Sequence, residues 1–234
     1  MKRMSWGKRI LPGVALVALL ALPALAQGYS KSFRAPSDGG GLEVIHKIGS
    51  LSVNVSEGST MTITARQADA RINATQSALG KVKVVVEGNS QVDLVINVPT
   101  TTILELNCIK GEISVRNMSG PIKIRNTEGD ILLSGIRSTR VDVGSSDGNI
   151  TFSGDVLTGG SYSLRSFSGQ ISATLPASAD FKLIASSNQG GIEVSGFGMS
   201  LNKQTDKQVE GIRGSGSATV TLWTQQGTIH LKRR

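Results

Sequence analysis

Apolar and polar residues alternate along most of this chain. Leu42-Glu43-Val44, Leu51-Ser52-Val53-Asn54-Val55 and Met61-Thr62-Ile63-Thr64-Ala65 each place an apolar side chain at every second position. That period of two marks a strand with one buried and one wet face. From Thr102 onward the alternation becomes a repeat. Gly-x-Ile-x-apolar occurs at Gly111, Gly129, Gly148, Gly169, Gly190 and Gly227, and the first five of these glycines are 18, 19, 21 and 21 residues apart. A second alternating run precedes each turn: Leu104-Glu105-Leu106, Ile122-Lys123-Ile124, Val141-Asp142-Val143, Tyr162-Ser163-Leu164 and Phe181-Lys182-Leu183. Two strands in a unit of about 20 residues, with little helical periodicity, predict an all-β, β-helix-like stacked solenoid whose strands pair with their counterparts one coil on, about 4.8 Å away. An antiparallel β-sandwich also spaces strands in this way and is the alternative. The solenoid is favoured because the same residue classes recur at the same place in every unit.

The recurrence extends to the corners. Five residues before each turn glycine stands an apolar inward residue: Leu106, Ile124, Val143, Leu164, Ala185 and Leu222. Two residues further on stand Cys108, Asn126, Ser145, Ser166, Ser187 and Thr224. These are all small and mostly polar, and in a stack they would form a ladder under the bend that can bond the turn's backbone. Cys108 reads as a small buried member of that ladder. A nucleophilic role would need a base, and His46 is distant in sequence.

Several segments depart from the repeat. Residues 27–41 are polar and end in Asp38-Gly39-Gly40-Gly41, which predicts a flexible lead-in to a repeat domain spanning 42–231. Gln67 to Leu79 reads as a loop or short insertion. Lys81 to Glu87 and Gln91 to Val98 read as a hairpin around Gly88-Asn89-Ser90, closed by Pro99. Between Gly190 and Gly227 the spacing stretches to 37 residues, and Asn202 to Gln208 is polar, which predicts a loop leaving the stack before a terminal rung at Ala218 to Leu231. That rung would expose an unpaired edge beside the basic tail 232–234.

At the N-terminus, Lys2, Arg3, Lys8 and Arg9 precede an apolar stretch from Ile10 to Leu22, and Ala24-Leu25-Ala26 supplies small residues for cleavage before Gln27. This is the pattern of a secretory signal peptide over 1–26, and it predicts export to the periplasm or cell surface with no transmembrane segment after cleavage. An uncleaved anchor is the competing reading, but the run is short and contains Pro12-Gly13. The signal also changes the charge. Of 25 Lys and Arg, four lie in this segment, so 21 remain against 17 Asp and Glu, a net charge of +4. Those charges are scattered and aromatic residues make up only 4% of the chain, which argues against nucleic acid as a partner. A single cysteine excludes an internal disulfide.

Candidate chemistry is sparse. His46 and His230 stand alone, no group of residues has metal-ligand spacing, and no nucleophile elbow or phosphate loop appears, so neither a cofactor nor a metal is expected. Asp130 and Asp147 lie near successive turns, and paired carboxylates serve glycosidases. Glu105, Lys123, Asp142 and Lys182 are expected in one outward column beside Arg125 and Arg165. Such a column suits a charged glycan, and it equally describes a wet strand face whose opposite charges set register.

The phrase Ile96-Asn97-Val98-Pro99, followed by Leu104-Glu105-Leu106 and the Gly-x-Ile-x-apolar units, resembles the bacterial DUF4097 family. So does the ending from Gly214-Ser215-Gly216 to Leu231. The resemblance runs over roughly Leu42 to Leu231. It implies a β-strand repeat domain at the cell envelope, in a family that carries an adhesin label, with no catalytic residues to transfer. The expected function is a secreted, non-enzymatic module for adhesion or surface interaction, with a cell-surface polymer or an envelope protein as partner. A glycan-active β-helix enzyme and an envelope-stress sensor or scaffold are the alternatives.

Overall fold

The computed structural model describes residues 28–66 and 71–234; the expected signal peptide over 1–26 lies outside the described residues. All regular structure in the described residues is β. After β1 (Tyr29–Arg34), β2 (Gly41–Ile48) bends into β3 (Leu51–Val55), followed by β4 (Thr60–Ala65) and β5 (Arg71–Gln76). Coils then follow one another: β6 (Lys81–Glu87) with β7 (Leu94–Val98), β8 (Ile103–Lys110) with β9 (Ile113–Arg116), and β10 (Ile122–Glu128) with β11 (Ile131–Ile136). Next come β12 (Arg140–Asp147) with β13 (Ile150–Gly154), β14 (Ser161–Ser168) with β15 (Ile171–Leu175), and β16 (Phe181–Gln189) with β17 (Ile192–Ser195). A hairpin of β18 (Ser200–Gln204) and β19 (Gln208–Arg213) leads to the last coil, β20 (Ala218–Gln226) with β21 (Ile229–Arg233).

Each coil contributes one strand to each of two sheets. The first sheet runs β1-β4-β7-β3-β9-β11-β13-β15-β21-β17, and the second β5-β6-β2-β8-β10-β12-β14-β20-β16-β19-β18. Neighbours within the stack are parallel and in register, as Ile122↔Leu104 and Ile122↔Val141 are. The molecule is therefore a solenoid and not an antiparallel sandwich, because a chain that winds in one sense returns to each sheet in the same direction. Among the described residues, antiparallel strands occur only as caps: β4 and β1 on the first sheet, β5 and then β19 and β18 at the two ends of the second. The inward residues of both sheets, such as Leu104, Leu106, Ile113 and Val115, are almost wholly buried. Each contributes about 1.5–3 kcal/mol relative to exposure.

The turn glycines hold the stack together at its narrow corner. In order, Gly49, Gly111, Gly129, Gly148, Gly169, Gly227 and Gly190 lie on successive coils. A Cβ on any of the last six would come within 3.0 Å of the carbonyl oxygen of the glycine before it. At Gly148 (φ 151°) the backbone also lies in the region that L side chains rarely adopt. Its N–H donates to Ser168 O at 2.9 Å on the next coil, and Gly129 N–H donates to Asp147 O at 2.8 Å. The absent side chain thus lets adjacent turns close to hydrogen-bonding distance.

Four expectations are corrected. Residues 29–34, in the lead-in expected to be flexible, form β1, which pairs with β4. Its end meets β5 through Lys31 Nζ to Ala74 O (2.5 Å) and Gln76 Nε2 to Arg34 O (2.7 Å), closing that end of the stack. The segment Gln67 to Leu79, expected as a loop, contains β5, while residues 67–70 lie outside the described residues. β6 and β7 are not a hairpin. They lie in opposite sheets as the two halves of one coil, and an alternating pair joined by a polar turn looks the same in either arrangement.

The fourth correction concerns order. β20 and β21 are not a terminal rung: β20 lies between β14 and β16, and β21 between β15 and β17. The coil of β2 and β3 is likewise inserted, between β6/β7 and β8/β9. The supposed loop before the last rung is the β18–β19 hairpin, which pairs antiparallel with β16 and caps the second sheet. Lys232 and Arg233 belong to β21, and Arg234 turns back to pair with Asp155, so the basic tail does not guard a free edge. Asp180 secures the approach to the inserted coil. Its carboxylate accepts from Ser217 N–H (2.9 Å), Ser215 N–H (3.1 Å) and the Ser215 hydroxyl (2.8 Å). The backbone donors, first that of Ser217, lower its pKa from the ordinary 3.8 to about 2.

Two outcomes follow. Gly148→Ala should destabilise the protein by more than the roughly 1–2 kcal/mol of a left-handed residue alone, because the neighbouring turn must also shift; thermal and denaturant unfolding measure this. Deleting residues 218–234 uncovers strands on both sides of the inserted coil. It should abolish the cooperative thermal transition seen by circular dichroism, whereas Leu222→Ala should keep that transition and lower stability by about 2–5 kcal/mol.

A candidate binding groove on the outer face of the second sheet

Inside the narrow corner, Cys108, Asn126, Ser145, Ser166, Thr224 and Ser187 align in register on adjacent strands of the second sheet. All six are buried. Asn126 Nδ2 donates to Gly111 O (3.0 Å) and Gly129 O (2.9 Å). The hydroxyls of Ser166, Thr224 and Ser187 donate to Gly148 O (2.9 Å), Gly169 O (2.9 Å) and Gly227 O (2.8 Å). Each of these four therefore reaches the turn carbonyl one coil back, the same oxygen that excludes a side chain from the next glycine. Ser145 Oγ makes no hydrogen bond to the protein.

The structure adds a member that the sequence reading set aside. His46, on β2, stands in register with Cys108 and is 1% exposed. The signal was present: His46 lies three residues before Gly49, as Cys108 lies three before Gly111. Burial pushes the His46 imidazole below its ordinary 6.5, against an opposing pull from the carbonyls of Val92 and Gly49. Burial likewise raises the Cys108 thiol, although the amides of Lys110 and Ile109 oppose it. A neutral imidazole beside a protonated, buried thiol packs the ladder and supplies little thiolate for chemistry.

The carboxylates are engaged elsewhere. Asp130 Oδ1 accepts from Asn149 N–H (2.8 Å), and Asn149 Oδ1 in turn accepts from Gln170 N–H (2.9 Å), so Asp130 ties successive turns. Glu128 pairs with Lys110 (2.7 Å), and Asp147 lies with Asp130 along a shallow depression on the turn edge. His230 contacts Glu193 on the first sheet (2.8 Å). No group of three His, Cys, Asp or Glu among the described residues could hold a metal ion.

On the outside of the second sheet, one column runs Lys83, Glu43, Glu105, Lys123, Asp142, Ser163. Lys182 is not in it, contrary to expectation: it stands eight residues before Gly190, where Asp142 stands six before Gly148, and so lies in register with Thr219, one column away. The charges form a chain of ion pairs, Lys83–Glu43 (3.1 Å), Lys81–Glu43 (2.6 Å) and Lys123–Glu105 (2.8 Å), with Arg125–Asp142 (2.5 Å) further on. The next outward column runs Ile45, Asn107, Arg125, Gly144, Arg165, Trp223. Gly144 has no side chain, and Arg125 lies across it towards Asp142, leaving a low floor.

That floor is the base of a shallow groove of about 540 Å³, roofed by no other element and flanked by Ile109 (53% exposed) and Phe167 (54% exposed). Trp223 is half-buried at its end. Ile45, Ile109, Phe167 and Trp223 escaped the sequence reading, which sought charged and nucleophilic groups. Their signal was an apolar residue at an outward position of the alternation. A lone exposed apolar residue means little, but four around one groove make it the candidate binding surface of this sheet.

The His46–Cys108 pair gives a measurable pH dependence. The fold refuses a proton that the unfolded chain accepts near pH 6.5, so the stability due to a neutral His46 is complete above about 6.5 and falls away as pH drops below it. His46→Gln should remove that slope in denaturant unfolding between pH 7 and 5. The native Cys108 thiol should react with a water-soluble disulfide reagent at least tenfold more slowly than in denaturant.

A search of curated proteins finds none that matches the chain. Among solved structures, the chain is similar to a "putative cell adhesion protein" from Clostridium sporogenes ATCC 15579, with 14% identity, a TM-score of 0.53, and coverage of 89% of this chain and 100% of that one. It is also matched to a "putative adhesin" from Bacteroides fragilis NCTC 9343, with 10% identity, a TM-score of 0.33, and coverage of 89% and 97%. The first of these likenesses is one of fold. The Toastrack DUF4097 family matches residues 39–232, nearly the whole solenoid with its turn glycines and corner ladder, and the chain belongs to that family.

Proposed function

We propose that this protein is a non-enzymatic surface-interaction module of the bacterial envelope, exported by its N-terminal segment, which engages a cell-surface polymer or envelope protein through the outer face of the second sheet. The observation that carries this reading is the open groove, where exposed apolar side chains border two arginines on a rigid, in-register sheet. A parallel stack holds such side chains at fixed spacing without a conformational change, which favours recognition of a repetitive or extended partner.

The chemistry supports binding over turnover. A glycoside hydrolase needs two carboxyl groups facing one bond, one of them available as an acid. Here Glu105 and Asp142 are paired with Lys123 and Arg125, and Asp130 is spent on the backbone N–H and side-chain amide of Asn149. Cys108 and His46 are buried side by side in the ladder, where burial raises the thiol rather than activating it. The naming of the Clostridium protein for cell adhesion is in keeping with this reading. No helix among the described residues is long and apolar enough to cross a membrane.

Incubation of residues 27–234 with isolated cell-envelope material and a glycan array should give saturable binding with no sugar released. Appearance of unsaturated or reducing ends would replace this reading with a glycan-active enzyme. Recovery of one inner-membrane protein, with no polymer binding, would replace it with a sensor or scaffold.

A further inference from the structure

We propose that the groove takes an anionic polysaccharide, with the acidic group of a sugar unit on Arg165 and the sugar ring against Phe167 and Trp223. The inference rests on reading this face as a binding surface and adds the chemistry of the ligand.

The charges around Asp142 are out of balance. Two guanidinium groups share a single carboxylate. Arg125 takes Asp142 Oδ2 at 2.5 Å and also donates to the Asp142 main-chain oxygen at 3.1 Å and to Ile124 O at 2.8 Å. Arg165 comes no nearer to Asp142 Oδ1 than 3.9 Å, beyond hydrogen-bonding distance, with its side chain 56% exposed. Its planar fork therefore has donors to offer a carboxylate or sulfate, the groups it fits best.

The surroundings favour a sugar. Arg165 stands in direct register with Trp223 on β20, and Phe167 follows two residues along β14. Both rings border the same groove, and Phe167 is more than half exposed. An indole and a phenyl ring beside a cation suit a ligand that has an apolar ring face and an acidic edge. On the other side of Arg165, Gly144 carries no side chain of its own and the Arg125 side chain lies flat across it. The stack repeats about every 4.8 Å, so an extended chain of sugars lying along it meets comparable backbone at each coil. A nucleic acid would need a row of uncommitted cations. Lys81, Lys83 and Lys123 are instead engaged with Glu43 or Glu105.

The test uses residues 27–234 and titration calorimetry with polygalacturonate, its methyl ester, heparin, poly-glutamate and a single-stranded oligonucleotide. Binding is expected to polygalacturonate, which carries carboxylates alone, or to heparin, which carries sulfates beside its carboxylates. The methyl ester and poly-glutamate should bind at least tenfold more weakly, the first lacking charge and the second lacking rings. Arg165→Gln should weaken binding at least tenfold. Phe167→Ala, at an exposed site that thermal unfolding should show to be unperturbed, should weaken it several-fold.

The proposal is overturned by equal binding of polygalacturonate and its methyl ester, by failure of both acidic glycans to bind, or by poly-glutamate binding as well as they do. An oligonucleotide that binds more tightly than either glycan also overturns it. If a double variant, Arg165→Gln with Phe167→Ala, binds envelope material as the native protein does, this site is wrong while the interaction reading stands. If neither protein binds envelope material, both fall.

Discussion

The close approach of one turn to the next at the narrow corner governs this structure. Each turn carbonyl lies where the next coil's glycine would carry a side chain, and on four coils the ladder residue reaches back to that same oxygen. One small set of atoms thereby fixes coil spacing, strand register and the direction of every side chain in both sheets. Register matters because a shift of one residue would turn the buried row outward. Hydrophobic burial supplies the larger share of the stability, but it would tolerate many arrangements of so uniform a core.

Uniformity creates a second problem, which the ends of the stack address. Coils with interchangeable edges could add or exchange neighbours, and exposed edges recruit other chains. At both ends a coil is inserted between two others, and antiparallel strands cap three of the four sheet edges, leaving β17 as the outer strand of the first sheet. The C-terminal coil is held on both sides, with Asp180 clamping its entry and Arg234 returning to Asp155. Such a stack cannot form by simple addition of rungs in chain order, because the seventh coil in space closes only when the last residues are present. This makes folding more cooperative than the nearest-neighbour behaviour of an open repeat array.

The same rigidity gives the outer face its value. A side chain at an outward position costs the core nothing, so these positions are free to carry chemistry. On most of the second sheet they carry mutually neutralising charges. Around Gly144 the pattern changes: neutralisation is incomplete at Arg165, and apolar rings appear where polar residues would serve solubility better. The carboxylates most suggestive of catalysis in the sequence are absorbed into ion pairs and turns.

Much of the fold was legible in the chain because its signals are local. The period of two assigns inside and outside, the glycine spacing marks the corner, and the residue three before each glycine marks the ladder. Even His46 obeyed that rule, although its partner lay 62 positions away in the sequence. What the sequence could not determine is which coil lies beside which. Every rung presents nearly the same edge, so pairing rules written in the alternation are satisfied by many orders. The choice among them depends on connection lengths and capping strands, which exist only in three dimensions. The groove belongs to this second class. Arg165 meets Trp223 because the last coil is threaded beside β14, and in simple chain order Arg165 would face Ser186 of β16 instead.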